Sequence, residues 1–159
     1  MDIPENLQKF LTLEHAEKHL DLVGCLVTPE SKGTLICIAA LAEEEIAVLL
    51  IRYFALPARV GEFKTLIASN LNFNEKIGAL AKILPKLDAT EANYQPHLRF
   101  LRALQKLRNT AAHSYSIHID KATELAADTE VAHITAEYPK NLWKRFTALQ
   151  NYLSTLNAG

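Results

Sequence analysis

The stretch "SKGTLICIAALAEEEIAVLLIRYF", residues 31–54, decides the fold. It is apolar at nearly every position around a helix, and Thr28 followed by Pro29 supplies an N-cap and a first helical residue. A helix that is apolar on all sides belongs inside a protein, so the sequence predicts that this helix is central and the most buried. Three carboxylates at Glu43 to Glu45 interrupt the run and would be costly in a bilayer, which argues against a membrane span.

The size and composition of the chain fit one folded domain over residues 1–159. Hydrophobic residues make up 49% of the sequence and charged residues 22%, which is ordinary for a soluble protein. The formal net charge is −1, so no general attraction draws the chain to nucleic acid or to an anionic membrane. Any contact with RNA must therefore use a local basic patch.

The two cysteines and the N-terminus indicate a compartment. Cys25 and Cys37 form no Cys-x-x-Cys pair, and "MDIPENLQKF" has no basic run followed by an apolar stretch, so it does not look like a secretory signal. Thiols in this setting are most often reduced and buried. The sequence therefore predicts a cytoplasmic protein in which both cysteines are core thiols.

Apolar residues recur at helical spacing in most windows, and sustained alternation of the kind found in strands does not stand out. The sequence therefore predicts an all-α bundle of four to six helices. In addition to the central helix, we expect helices from Leu7 to near Gly24, over "NFNEKIGALAKIL" up to Pro85, from about Tyr94 to Ala112, and from Pro139 to Leu156. Residues 116–138 are the least readable, with "VAHIT" as a short strand and Asp120 to Ala127 as one or two helical turns.

The helix expected from about Tyr94 to Ala112 carries the most distinctive polar residues, in "LQKLRNTAAHSY" from Leu104 to Tyr115. Because successive residues lie about 100° apart around a helix, its polar side chains collect opposite its apolar ones. This cationic face carries Arg99, Arg102, Lys106, Asn109 and His113. A solvated helix surface is one interpretation of the pattern. The lack of any carboxylate after Glu91 on this helix favours a binding surface for phosphates.

The chemistry of Arg108, Asn109 and His113 suits RNA cleavage without a metal. A neutral imidazole can take the proton of a ribose 2′-hydroxyl, and a guanidinium can stabilise the charge that develops on phosphate oxygens. Asn109 can orient either group. The alternative is structural, with Arg108 paired to a glutamate of the central helix and His113 capping helix carbonyls. Arg108 and His113 lie about 140° apart on a helix, so a joint site needs an end or bend of the helix between them, a long Arg108 side chain that reaches round, or a second chain.

The run "RNTAAH" resembles the Arg-polar-x3-His signature of the HEPN superfamily, small all-helical proteins that include many metal-independent ribonucleases. With Tyr115 added, it is similar to the motif of HEPN toxins that pair with a nucleotidyltransferase antitoxin. The resemblance implies catalysis by Arg108, Asn109 and His113, and it marks Tyr115 as the residue that such an antitoxin modifies. It also implies a homodimer whose two motifs line one cleft.

A longer resemblance runs from about Glu30 to His113. The segments "ESKGTLICIAALAEEEIAVLL", "FNEKIGALAKI" and "LQKLRNTAAH" are similar to helical proteins described as mannitol-operon-repressor-like. Those proteins share an acidic pair in the central helix and a Phe-x-x-Lys-Ile element. The resemblance makes Lys76 a candidate phosphate contact beside Arg99, Arg102 and Lys106. A lysine on the surface with no such role is the alternative.

Two functions are therefore open at the level of sequence. One is a metal-independent endoribonuclease, a toxin or not, that acts on RNA. The other is a non-catalytic RNA-binding or regulatory dimeric module of the repressor-like kind. We expect no cofactor and no metal: His15 and His19 share a helix face, but no third ligand follows at a useful spacing.

Overall fold

The computed structural model describes Leu22, Cys25, Leu26, residues 28–113 and residues 119–157. The side chains of His113, Ile119, Asp120 and Ala122 are not part of this description. Two sequence predictions consequently lie outside the described residues: most of the helix expected between Leu7 and Gly24, and the position of Tyr115.

Seven α-helices and two short 3₁₀ turns make up most of the described chain, and none of the described residues lies in a β-strand. The all-α prediction is confirmed. The count exceeds four to six because two stretches that were hard to read contain short helices. The helices are α1 (Pro29–Phe54), α2 (Val60–Leu66), α3 (Phe73–Leu87), α4 (Glu91–His113), α5 (Ile119–Ala127), α6 (Thr129–Thr135) and α7 (Lys140–Thr155).

Helix α1 forms where the sequence predicted it. The Thr28 side chain accepts a hydrogen bond from the Ser31 amide at 3.3 Å, and Pro29 begins the helix. The helix packs against α3, α4 and α7 and is therefore central. It is not the most buried, however, because Ile36, Leu41 and Val48 on its outer side remain exposed. Helix α4 buries more of its length, with an inner face that runs unbroken from Leu98 to Ala111.

The two cysteines differ in burial. Cys25 is buried, and its thiol lies 4.0 Å from the Thr135 carbonyl oxygen on α6. Cys37 is exposed on the outer side of α1, so the prediction that both are core thiols is wrong for Cys37. The cause is that α1, although apolar nearly all round, leaves one face uncovered by the other described helices.

The "VAHIT" segment is helical, so its prediction as a strand is wrong. Asp128 caps α6 by accepting hydrogen bonds from the amides of Glu130 and Val131 at 3.0 and 3.2 Å. The buried residues of α6 are Val131, Ile134 and Thr135, which are spaced as on a helix and not alternately as on a strand. The expected helical turns at Asp120 to Ala127 are confirmed as part of α5.

Helix α3 ends later than the position of Pro85 predicts. Helix α3 continues past Pro85 to Leu87 and ends with the Asp88 amide donating to the Leu84 carbonyl at 2.8 Å. A proline this close to the end removes one hydrogen bond of the last turn without breaking the helix before it.

Among the described residues, no helix is both long and apolar enough to cross a membrane.

Candidate functional site

The polar face of α4 lies where the sequence predicted it. Arg99, Arg102, Lys106 and Asn109 are exposed, and His113 is the last residue of the helix. The opposite face packs into the core and is almost completely buried; it carries Phe100, Leu101, Ala103, Leu104, Leu107 and Ala111. The cationic face is therefore held by a rigid, well-packed helix.

Arg108 lies at the boundary between the two faces and contacts three neighbours. Its Nη1 is 3.7 Å from Oε2 of Glu43, and its Nη2 donates to Oδ1 of Asn109 at 3.4 Å. Its guanidinium carbon sits 5.2 Å from the centre of the Phe73 ring, a cation–π contact. The side chain remains 31% exposed, so part of it is accessible from solvent.

Glu43 holds a second cation with its other oxygen. Lys76 Nζ donates to Glu43 Oε1 at 2.8 Å, and the Lys76 side chain is only 10% exposed. One carboxylate therefore carries both Lys76 and Arg108, which leaves a local excess of one positive charge. Such an excess in a partly buried place favours an anionic ligand.

The start of α3 fixes two members of this cluster. Asn72 accepts a hydrogen bond from the Glu75 amide at 2.9 Å, and the Glu75 carboxylate accepts one from the Asn72 amide at 2.7 Å. This capping box sets the first turn of the helix. Phe73 and Lys76, three residues apart, then point together towards α1 and α4, where Phe73 lies against Arg108 and Lys76 against Glu43.

Lys106 is engaged elsewhere. Its Nζ lies 2.9 Å from Oδ2 of Asp128, the residue that caps α6. Burial alone would raise the pKa of Asp128, but the hydrogen bonds from Lys106 and from the α6 amides outweigh it, so this pKa lies below its usual value. Lys106 therefore joins α4 to α6. Its side chain is half exposed, but a ligand would compete with Asp128 for it.

Arg99 and Arg102 are available. Both are exposed, and neither forms an ion pair with any residue in the described ranges. Arg102 and Arg99 lie about one and a half and two and a half turns before Arg108 on α4, so they extend the cationic surface away from the Glu43 cluster. The structure thus joins Arg108 and Asn109 directly and Lys76 through Glu43, and it sets Arg99 and Arg102 apart as a second group.

Two parts of the site were only partly foreseen. The sequence admitted a pair between Arg108 and the central helix, and the structure identifies Glu43 as that partner. Phe73 was missed as a contact of Arg108. The signal was present, since an aromatic residue three positions before Lys76 must share its helix face. Tyr115 and the His113 side chain lie outside the described residues, so their predicted roles stay predictions.

The chemistry open to this cluster is anion binding and charge stabilisation. Arg108 is held by the Glu43 carboxylate and by the ring of Phe73. Little side-chain conformational entropy is therefore lost when the exposed part of Arg108 binds a phosphate. Asn109 adds an exposed amide beside it. Among the described residues no three His, Cys, Asp or Glu side chains are grouped so that they could hold a metal ion.

Comparison of the chain with protein-family models, with curated proteins and with solved structures found no match in any of the three. The case for a function therefore rests on the geometry around Arg108 and on the order of residues in its motif.

Proposed function

We propose that this protein is a metal-independent endoribonuclease of HEPN type, with an active site built around Arg108, Asn109 and His113. The observation that carries the proposal is the arrangement of Arg108, which is fixed by Glu43 and Phe73, lies beside the exposed Asn109, and is still partly exposed itself. A donor held in place before the reaction stabilises developing charge better than one that must reorganise.

In the proposed reaction, His113 takes the proton of a ribose 2′-hydroxyl and the 2′-oxygen attacks the adjacent phosphorus. The bond from phosphorus to the 5′-oxygen of the next nucleotide breaks, that oxygen takes a proton from water, and His113 returns its proton to the solvent. The products are a 2′,3′-cyclic phosphate and a 5′-hydroxyl. Arg108 stabilises the charge on the non-bridging oxygens, and Asn109, four residues before His113 on the same helix, orients the imidazole or a phosphate oxygen. Because α4 is one helix up to His113, which lies about 140° from Arg108, the two groups meet on one phosphate either by the reach of the long Arg108 side chain or across a homodimer whose two motifs line one cleft.

The remaining cations have different parts in this proposal. Arg99 and Arg102 bind the RNA backbone along α4, with a weaker contribution from Lys106 because Asp128 holds it. Lys76 reaches a phosphate only if its buried ion pair with Glu43 opens, so its main part is to hold Glu43. If the protein is a toxin, Tyr115 is the residue that a nucleotidyltransferase antitoxin would modify.

A second candidate function is a non-catalytic RNA-binding or regulatory module. The observation that favours it is that Arg108 already has three partners within the chain, namely Glu43, Phe73 and Asn109. An arginine so engaged can be structural. The two functions differ in whether RNA is cut, which makes cleavage the deciding measurement.

The test uses a 5′-labelled RNA in buffer with EDTA, incubated with the parent and with His113→Ala, Arg108→Ala and Asn109→Ala. We expect the parent to release fragments that end in a 2′,3′-cyclic phosphate. Loss of the base or of the charge-stabilising donor should lower the rate on the order of 10²–10⁴-fold. The matched control is His133→Ala, which removes an exposed histidine of α6 and should leave the rate unchanged.

Binding of the same RNA is measured in parallel by fluorescence anisotropy. If the parent binds RNA but cuts none, the non-catalytic function is correct. If His133→Ala lowers the rate as much as His113→Ala, the assignment of the base is wrong. If the folded parent neither binds nor cleaves the RNA, both functions are rejected.

A further inference from the structure

The end of α1, helix α2 and the middle of α3 surround an apolar hollow. Phe54 of α1 stacks on Phe63 of α2, with 6.2 Å between the ring centres and 15° between the ring planes. The hollow has a volume of about 190 Å³. Leu50 and Ala68 in its lining are buried, whereas Phe54 and Ile67 are about half exposed, so the hollow is open to solvent. All seven residues that line it are apolar, namely Leu50, Phe54, Phe63, Ile67, Ala68, Leu71 and Ala79.

The hollow continues into a longer groove along α3. The two share Phe54, Leu71 and Ala79 in their linings, and the groove has a volume of about 580 Å³. Sites for small organic ligands typically measure about 300–1,000 Å³, so the groove is large enough to hold one. Unlike the hollow, the groove has charged side chains in its lining, all of them on α3. One continuous site therefore has a purely apolar part and a part with charged groups.

The charged side chains of the groove are Glu75, Lys82 and Lys86, and all three are exposed. Glu75 lies about 10 Å before Lys82 along the helix and already accepts a hydrogen bond from the Asn72 amide. Lys82 and Lys86 form no ion pair with any residue in the described ranges. They are four residues apart, and two like charges at this spacing repel each other and weaken the helix. An anion between the two lysines would remove this repulsion.

The lining of the hollow decides which class of ligand it can take. A nucleobase or a peptide group placed there would lose its hydrogen bonds to water and gain none from the apolar side chains around it. A hydrocarbon chain has no such hydrogen bonds to lose, and each methylene that it buries strengthens binding by about fourfold. The two unpaired lysines in the adjoining groove then favour a negative charge at the end of that chain.

We propose that this protein binds a free long-chain fatty acid, with its alkyl chain in the hollow and its carboxylate between Lys82 and Lys86. Ala79, in the wall that the hollow and the groove share, precedes these lysines by three and seven residues, so all three share one face of α3. A chain that leaves the hollow past Ala79 consequently brings its carboxylate to the lysines. The site is separate from the Arg108 cluster, since Phe54 lies about 17 Å beyond Glu43 along α1, and it does not depend on RNA cleavage.

The first test titrates dodecanoate into the full chain below the micelle concentration, followed by calorimetry. We expect one site per chain. Decanoate should bind about 15-fold more weakly than dodecanoate, because it buries two methylenes fewer. Dodecyltrimethylammonium has the same chain length and a cationic head. It should bind about tenfold more weakly than dodecanoate, or weaker still, because Lys82 and Lys86 repel it.

The second test changes the two parts of the site separately. Lys82→Gln with Lys86→Gln should weaken dodecanoate binding by about tenfold and should not weaken dodecyltrimethylammonium binding. Ala79→Trp places a large ring in the shared wall, so it should abolish the binding of both probes. Lys140→Gln with Lys144→Gln, which changes two exposed lysines of α7, is the matched control and should alter neither affinity. Helical spectra check that each variant is folded.

The outcomes decide the occupant of the hollow. A folded parent that binds no dodecanoate overturns the proposal, as does one that binds both probes equally well. Dodecanoate binding that is unchanged in the double lysine variant overturns it too. If dodecanoate does not bind and Ala79→Trp converts a dimer into a monomer, a second copy of the chain occupies the hollow instead. His113→Ala leaves the groove intact, so it should bind dodecanoate as the parent does, whatever the result with RNA.

Discussion

Glu43 is the residue on which the candidate site depends, because it carries two cations of unequal burial. Lys76 is almost completely buried, with 10% of its side chain exposed, whereas Arg108 is 31% exposed. Removing the shared carboxylate lowers stability strongly for a buried cation and little for a cation that water can reach. The pair of Glu43 with Lys76 therefore contributes mainly to stability, whereas its pair with Arg108 positions the candidate site.

The first prediction compares the free energies of unfolding of two variants. Glu43→Ala should lower it by about 3 kcal/mol, because Lys76 is left buried without a partner. Arg108→Ala should lower it by only about 1 kcal/mol, because Glu43 keeps Lys76 and the arginine is partly solvated. Urea unfolding measures both. Equal losses in the two variants would contradict this explanation by unequal burial. The control is the double change Glu43→Leu with Lys76→Met, which leaves no buried charge unpaired. It should recover most of the stability lost in Glu43→Ala.

The second prediction concerns His97. It stacks on Tyr152 at 4.5 Å, and its Nδ1 is buried with no hydrogen-bond partner among the described residues. Burial, and then the charge of Arg145, hold the pKa of His97 below 6.5. The unfolded chain therefore binds this proton first, so stability should fall as the pH drops below 6.5 towards the lower pKa of the folded state.

His97→Phe keeps the ring contact and removes the proton site, so it should flatten the loss of stability between pH 7 and pH 5, followed by urea unfolding. His133→Gln is the control, because His133 is exposed on α6, and its profile should match the parent. Asp88 and Asp128 also have lowered pKa values, but they act only as the pH falls below 3.8. An unchanged slope in His97→Phe would rule out His97 as the cause.

At the scale of the elements, α3 carries a glycine that its packing does not require. Gly78 lies in its interior, is exposed, and has nothing within 4 Å of the position that a Cβ would take. Glycine in a helix interior costs about 1 kcal/mol relative to alanine. The third prediction is therefore that Gly78→Ala stabilises the protein by about 1 kcal/mol, seen as a rise in melting temperature of about 2–4 °C.

Gly61 is the comparison for this prediction. It has equally free space around its Cβ position but lies in α2, which buries no residue. Because α2 contributes little to cooperative packing, Gly61→Ala should raise the melting temperature less than Gly78→Ala. A larger gain at Gly61 would mean that α2 is an integral part of the folded unit.

Elements also show how far the sequence leads. Helix α1 was predicted within two residues of its start and to its final residue, because a proline and a threonine cap mark where it begins. Helix α6 was mistaken for a strand, because seven residues are too few for helical spacing to be recognised without the cap at Asp128. The exposure of Ile36, Leu41 and Val48 could not be predicted, since an apolar residue looks the same in the sequence whether the fold buries it or leaves it exposed.

At the scale of the whole molecule, a nearly neutral chain presents a local cationic surface. The net charge is −1, yet Arg99 and Arg102 project from α4 without ion-pair partners among the described residues. Nucleic-acid affinity falls with salt in proportion to the number of phosphates contacted. Salt dependence can therefore count the contacts made by this surface without any assumption about cleavage.

The fourth prediction follows from this count. Changing Arg99 and Arg102 together to Gln should reduce the slope of log affinity for single-stranded RNA against log salt by about 1.4, because each lost phosphate contact removes about 0.7. The control is Lys140→Gln with Lys144→Gln, two exposed lysines at the start of α7. Equal changes in the two double variants, measured by titration at several salt concentrations, would show that RNA binding is not specific to α4.

The run of three glutamates in α1 has a consequence for how the gene can vary. Glu43 holds Lys76 and Arg108, Glu44 is exposed, and Glu45 accepts a hydrogen bond from Gln150 of α7 at 3.1 Å. Three identical residues thus have three different surroundings, and only their order along the helix determines which surroundings each one has. Loss of a single codon just before them would rotate each glutamate by about 100° around the helix axis. Lys76, Arg108 and Gln150 would then no longer face the glutamates that they now contact. Descendants of this gene should accordingly tolerate changes of length in the turns around α2 and almost none within α1.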